Sequence, residues 1–233
     1  MARSGGAVQI NRAYLPDQRQ QPDVATALQM RWARQVEQVP LVSSPGLIAG
    51  CDVHLRDDLG RATIVVMRLP SLEVMEAVHG EATVSFPYVP GFLSWREIPP
   101  IAVALGRLTV RPDLLFADGQ GLAHPRGFGL ACHLGLLSGL PTLGCAKSIL
   151  RGDHPPLAEE RGAREPLTYR GRVVGMAVRS KNRVKPLYVS VGHRITLDEA
   201  TDLVLRTCLK HRLPEPSRLA HLAAQGWARG EIG

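Results

Sequence analysis

Between residues 47 and 84 the chain alternates short apolar runs with turn residues. Leu47 to Cys51 reads as a buried strand, Ala62 to Leu69 as a second and Glu73 to Val84 as a third. Asp57-Asp-Leu-Gly60 and Pro70-Ser71 supply the turns, so these three strands form a meander. The period then lengthens. Ile98 to Leu108 is helical, Leu114 to Ala117 extended, Phe128 to Ser138 helical and Thr142 to Ala146 extended again. Strands followed by alternating helix and strand predict an α/β domain.

The flanks are read the same way. Residues 1–22 are polar and irregular, and Asp23 is placed to cap a helix whose Val24, Leu28, Trp32 and Val36 recur at helical spacing and pack on the sheet. Arg151 to Pro166 mixes charge, Gly and Pro without a period and reads as an exposed loop. Val173 to Val178 and Leu187 to Val191 follow as strands. Thr196-Leu-Asp-Glu199 has the capping-box pattern for a helix from Leu197 to Leu209, and Pro214 and Pro216 interrupt before a short helix from about Ser217. One domain over 1–233 accommodates all of this, without internal repeats.

Two apolar runs end in aspartate, at Asp52 and at Asp118. One aspartate after a strand is an ordinary turn or cap residue. Two are informative if their strands lie parallel and adjacent, as a sheet ordered 3-2-1-4-5 makes them. Neighbouring carboxylates repel unless a cation sits between them, and an oxygen-liganded Mg²⁺ is the usual solution in phosphoryl transfer. Glu97, near the predicted start of a helix, is explained equally well by the helix dipole.

Composition narrows the partner. The 233 residues carry 28 Lys and Arg against 21 Asp and Glu, a formal charge of +7 that favours a polyanion, with nucleic acid foremost. No apolar run reaches the roughly 18 residues of a membrane span, and no secretory signal is legible, so the reading is a soluble, cytoplasmic protein. Cys51, Cys132, Cys145 and Cys208 form no CxxC pair and read as reduced. A zinc site from Cys51, His54, Cys132 and His133 can be written down, but both cysteines fit an apolar pattern better.

Further chemistry clusters around the aspartates. Pro87-Tyr88-Val89-Pro90-Gly91-Phe92 is a loop stiffened by two prolines around an aromatic tip. It suits a wedge that enters a base stack, or a locked turn with Tyr88 and Phe92 packed on the core. In Asp118-Gly-Gln-Gly-Leu-Ala-His124-Pro-Arg126 the glycines let backbone amides approach a ligand, with His124 and Arg126 available to phosphate or base. Lys147 follows a strand and offers a point charge to a phosphate. His193 and His221 are weaker candidates.

Taken together, these blocks resemble the endonuclease V family of deoxyinosine-directed nucleases. The similarity runs from about Trp32 to His221. It includes Ala49-Gly-Cys-Asp52-Val, Pro87 through Glu97, Ala117 through Arg126, Gly144-Cys-Ala-Lys147-Ser, Val191-Gly-His193-Arg-Ile and Arg212-Leu-Pro-Glu-Pro-Ser-Arg218-Leu-Ala. The resemblance implies a ribonuclease H-like mixed sheet flanked by helices, with extra C-terminal strands and helices. It implies Mg²⁺-dependent hydrolysis, with Mn²⁺ as a substitute, of the second phosphodiester 3′ to hypoxanthine in DNA, leaving 3′-hydroxyl and 5′-phosphate ends. Asp52, Glu97, Asp118 and Lys147 would be catalytic, and Asp52, Asp118, Glu97 and His221 would face the metal. Pro87, Tyr88, Val89 and Pro90 would form the strand-separating wedge, and Gly91, Gly119, Gly121, Leu122 and His124 the base pocket. The implied partner is DNA with deaminated bases, engaged by a monomer. Inosine-containing RNA as substrate, and a sensor that binds without cutting, are the alternatives. Two positions depart from the family pattern: Gln120 stands where histidine is usual, and His54 where an aromatic is frequent.

Overall fold

A computed structural model describes residues 7–228. Eight strands form one sheet in the order β3-β2-β1-β4-β5-β8-β7-β6. The first five comprise β1 (Leu47–Arg56), β2 (Leu59–Arg68), β3 (Glu73–Thr83), β4 (Leu114–Ala117) and β5 (Thr142–Ala146). Their order is the expected 3-2-1-4-5, with β1, β4 and β5 parallel and the β1–β2–β3 meander antiparallel. The extra strands β6 (Arg164–Tyr169), β7 (Arg172–Val178) and β8 (Leu187–His193) extend the sheet antiparallel from β5.

Side-chain alternation divides the core between the two faces of this sheet. Ala49, Cys51, Ile64, Val66, Leu115 and Ala117 point to one face, where they meet Ile98, Ile101 and Leu105 of α2 (Leu93–Arg107) and Leu130 and Leu134 of α3 (Leu130–Ser138). Their neighbours Ile48, Val65, Met67, Leu114 and Phe116 point to the other. There they meet Leu203 and Val204 of α4 (Leu197–Thr207) and Ala220 of α5 (Glu215–Ala228). The expected capping box starts α4: Glu199 Oε2 accepts from the Thr196 backbone at 3.0 Å, and Thr196 Oγ1 accepts from the Glu199 backbone at 3.3 Å.

Four expectations need correction. The segment read as a loop to Pro166 includes the first half of β6, an edge strand, where a proline is tolerated. Helix α2 begins at Leu93 rather than Ile98, because its interior prolines Pro99 and Pro100 disguise a longer helix. Helix α5 likewise starts at Glu215, with Pro216 in its first turn where the missing N–H costs nothing. Helix α1 (Pro22–Ala33) is begun by Pro22 rather than capped by Asp23. It buries Ala25, Gln29 and Trp32, while Val24 is exposed, and it packs on a third, aromatic cluster of Phe86, Phe92, Trp95 and Phe128 rather than on the sheet. A 3-10 turn, Arg12–Tyr14, interrupts the irregular N-terminal segment, whose first six residues lie outside the described ones. No helix among the described residues is long and apolar enough to cross a membrane.

Candidate active site

Strands β1 and β4 run parallel up to the pair Cys51 and Ala117, so Asp52 and Asp118 are the next residues on both strands. Strand β1 continues to Arg56 in its pairing with β2, which places Asp52 inside a strand rather than at its end. Asp52 shares the parity of Ile48 and Gly50 and therefore faces the α5 side of the sheet. Gly50 is required there. A Cβ on it would lie 2.2 Å from the Pro216 carbonyl carbon, so β1 and the first turn of α5 touch backbone to backbone.

That close approach brings His221 of α5 to Asp52. His221 Nδ1 lies 2.8 Å from Asp52 Oδ2 and the Gln225 amide meets His221 Nε2 at 2.9 Å, so both ring nitrogens are engaged and the ring's orientation is fixed. On the other strand, Lys147 Nζ donates to Asp118 Oδ2 at 2.5 Å. Both aspartate side chains are largely buried, with 13% of each exposed. Burial, then the charge of Asp118, raises the Asp52 carboxyl above its ordinary range against the opposing pull of His221 and Lys147.

Ligand atoms of Asp52, Asp118 and His221 all lie within 4.8 Å of one another, a group that can hold a metal ion. Two hard carboxylates with one imidazole suit a divalent cation such as Mg²⁺ or Mn²⁺. Glu97, in the second turn of α2, lies outside that group but close enough to sense it. Burial and the charges of Asp52 and Asp118 push its carboxyl well above the usual value. The zinc alternative finds no support in these positions: Cys51 and Cys132 are buried in separate apolar clusters, and His133 bonds the Tyr14 carbonyl at 2.7 Å.

Beside Asp118 and Lys147 opens a cavity of about 380 Å³, room enough for a nucleobase. Tyr88, Val89, Pro90 and Gly91 form one wall, Gly119, Gln120 and His124 another, and Ile149 and Leu150 the lip. The aromatic loop divides in two. Phe92 is packed into the aromatic cluster, whereas Tyr88 is 78% exposed at the tip between the exposed Pro87 and Pro90. Gly121 and Leu122 are not among the lining residues. A Cβ on Gly121 would fall 2.0 Å from the Val191 carbonyl oxygen, so its missing side chain lets the turn settle on β8, and the Leu122 amide donates to the same carbonyl at 2.9 Å.

His124 and Arg126 are committed to the loop. His124 Nε2, Arg126 Nη2 and Gln29 Nε2 converge on the Gly91 carbonyl oxygen at 2.9, 2.8 and 3.0 Å, Arg126 Nε also donates to Gln29 Oε1, and the Arg126 guanidinium stacks over Phe92 at 4.5 Å. Burial lowers the His124 pKa to about 4, so the ring is a neutral donor. His193 lies at the other end of the strands, opposite Thr142 at the start of β5, where it accepts from the Glu37 backbone at 3.2 Å. Gln29 and Gln225 were passed over in the sequence. Gln29 left a signal, since a polar residue stands on the buried stripe of α1 with Ala25 and Trp32.

A family model described as Endonuclease V matches residues 30–222. The chain belongs to the endonuclease V family. It is a nuclease of that family and is 47% identical over 216 residues to Endonuclease V of Myxococcus xanthus, covering 90% of this chain and 91% of that protein. The solved Endonuclease V of Streptomyces avermitilis superposes with a TM-score of 0.86 at 37% identity, covering 97% of this chain and 99% of that one. Endonuclease V of Ciona intestinalis, in complex with a 24mer DNA containing an inosine followed by a ribo-adenosine, shares the fold. Its TM-score is 0.76 at 23% identity, over 91% of this chain and all of that one.

Proposed function

We propose that this endonuclease V acts on DNA carrying hypoxanthine and hydrolyses the second phosphodiester on the 3′ side in a Mg²⁺-dependent reaction, leaving 3′-hydroxyl and 5′-phosphate ends. The observation that carries this reading is a single cavity with the exposed Tyr88 at one wall and Asp118 and Lys147 at the other, beside the group of Asp52, Asp118 and His221. Base capture and backbone cutting thus occupy adjoining space. The inosine-containing DNA held by the Ciona relative supports the same substrate.

In this reading Tyr88, stiffened by Pro87 and Pro90, fills the gap left as hypoxanthine leaves the stack, at an unstacking cost of about a few kcal/mol. The extruded base enters the cavity, whose glycine lining at Gly91 and Gly119 leaves room for its edge. Amide donors facing O6 reject adenine, which presents an amine there. Asp52, Asp118 and His221 would hold the metal, with Glu97 beside them. The chemistry that a bound Mg²⁺ supplies is polarisation of the scissile phosphate and acidification of water. Lys147, held at Asp118, sets a positive charge against the phosphate oxygens as negative charge grows on them. The protein works as a monomer in the cytoplasm, whose reducing conditions suit its four free, buried cysteines.

The test is cleavage of end-labelled duplexes with one hypoxanthine, adenine or uracil, in Mg²⁺ or chelator, mapped to the nucleotide. A metal-dependent nick one nucleotide beyond hypoxanthine is expected. Tight binding without a nick would replace the nuclease reading with a sensor, and cutting confined to inosine-containing RNA would reassign the substrate.

A further inference from the structure

The block from Arg212 to Arg218 stands out in the sequence, and the reaction above leaves its first residue unused. Arg212 lies in the coil between α4 and α5. Its Nη2 donates to the carbonyl oxygens of Lys147 at 2.9 Å and Pro186 at 2.6 Å, and its Nε to that of Lys185 at 2.8 Å. One guanidinium thus clasps the exit of β5 to the entry of β8. Arg212 is itself anchored: its carbonyl accepts from Ser180 Oγ at 2.7 Å and Cys208 Sγ at 3.4 Å, both on buried residues.

Lys147 needs such an anchor. Strand β5 ends at Ala146, paired with Tyr188, and Lys147 is the first residue beyond it. A lysine is a point charge on a flexible stem, so the place of its ammonium depends on where its backbone is fixed. The next carbonyl, of Ser148, accepts from Gln120 Nε2 at 2.9 Å. Two consecutive carbonyls are therefore gripped by different parts of the chain, one by the C-terminal coil and one by the turn after Asp118.

We propose that Arg212 is a positioning residue, assisted by Gln120, that fixes Lys147 where its Nζ serves both Asp118 and the scissile phosphate. This rests on the function proposed above. Gln120 then has a defined part: its amide donates to Ser148 with no dependence on protonation, which a histidine in its place would not share. The planar guanidinium fork matters as much as its charge, because an ammonium cannot reproduce three donors in those directions.

The test is a double-mutant cycle on single-turnover cleavage of an inosine duplex in Mg²⁺, with duplex affinity measured in Ca²⁺. Arg212→Lys should slow cleavage by about ten- to a hundredfold, as small misplacements of catalytic groups do, while affinity changes by less than about twofold. In a Lys147→Ala background the same substitution should change the rate by less than about twofold, because its effect runs through the lysine. Rate losses that multiply would overturn the positioning role. Wild-type cleavage by Lys147→Ala alone would instead overturn the lysine's part in the proposed function. If Arg212→Lys loses its cooperative melting transition, Gln120→Ala enters the same cycle from the Ser148 side, with coupling to Lys147 expected and multiplicative losses fatal to the idea.

Discussion

The protein buries titratable groups in two neighbouring places and treats them in opposite ways. In the aromatic cluster around Trp32 and Trp95, His133 is fully buried, and beside it His124 supports the Tyr88 loop. Each histidine bonds a backbone carbonyl, and burial lowers the pKa of each to about 4, so both are neutral. Where β1 passes the carboxyl end of β4, burial and the charge of Asp118 instead raise the cost of ionising Asp52, and burial with the charges of both aspartates raises that of Glu97. One region holds its imidazoles neutral, each bonded to a backbone carbonyl, with His133 Nδ1 buried and without a hydrogen bond; the other has assembled groups whose mutual repulsion falls when a cation arrives. Burial alone does not separate scaffold from site. The sign of the neighbours does.

The sharpest way to break that contrast is to remove a carboxylate from the second region. Asp118→Ala takes away one wall of the metal group and the partner of Lys147 at once. Cleavage of an inosine duplex should fall by about three orders of magnitude or more, the scale of losing several kcal/mol of charge stabilisation. Inosine binding in Ca²⁺ should survive, because Tyr88 and the glycine-lined wall remain. Undiminished cleavage would show that the charged cluster is not the reacting centre.

The first region answers to acid. An unfolded histidine takes up its proton near pH 6.5, whereas His124 and His133 in the fold resist until about 4. The unfolded chain therefore binds more protons across that window, and stability present above pH 6.5 is lost as pH falls through 4. The loss should amount to about 3 kcal/mol for each of the two, read as a falling melting temperature. His133→Phe should flatten that slope, and an unchanged slope would mean that the ring is not held neutral by the cluster.

The sequence made the two regions unequally legible. Short apolar runs ending in Asp52 and Asp118 exposed the parallel pair, because strand parity and a 3-2-1-4-5 order leave little freedom in how residues of two adjacent strands line up. The aromatic loop was legible as stiff, but which of its rings is buried depends on Gln29, His124 and Arg126 meeting at one carbonyl, three residues scattered over about a hundred positions. Local pattern carries no such information. Glu97 was placed at a helix start because Pro99 and Pro100 hid the first turn of α2, and β6 was lost because its proline and charges look like a loop. His221 reaches Asp52 across 169 positions through a backbone contact at Gly50; apart from the resemblance, nothing near either residue announces it.

The smallest expected effect is the most discriminating. If mutual repulsion among the carboxylates is what sets the second region apart, neutralising one of them should stabilise the metal-free protein while harming its activity. Glu97 is the residue to choose, since it lies outside the group of Asp52, Asp118 and His221 yet is pushed up by both aspartates. Glu97→Gln keeps the shape and removes the charge. In chelator at pH 8 its melting temperature should rise by about 2–4 °C, the equivalent of about 1 kcal/mol for a domain of this size, and cleavage in Mg²⁺ should fall. The same substitution logic gives the reverse sign in the first region, where both buried histidines are already neutral and each bonds a backbone carbonyl. A Glu97→Gln protein that melts lower in chelator would mean that Glu97 is held by partners as His133 is, and the two regions would then follow one rule.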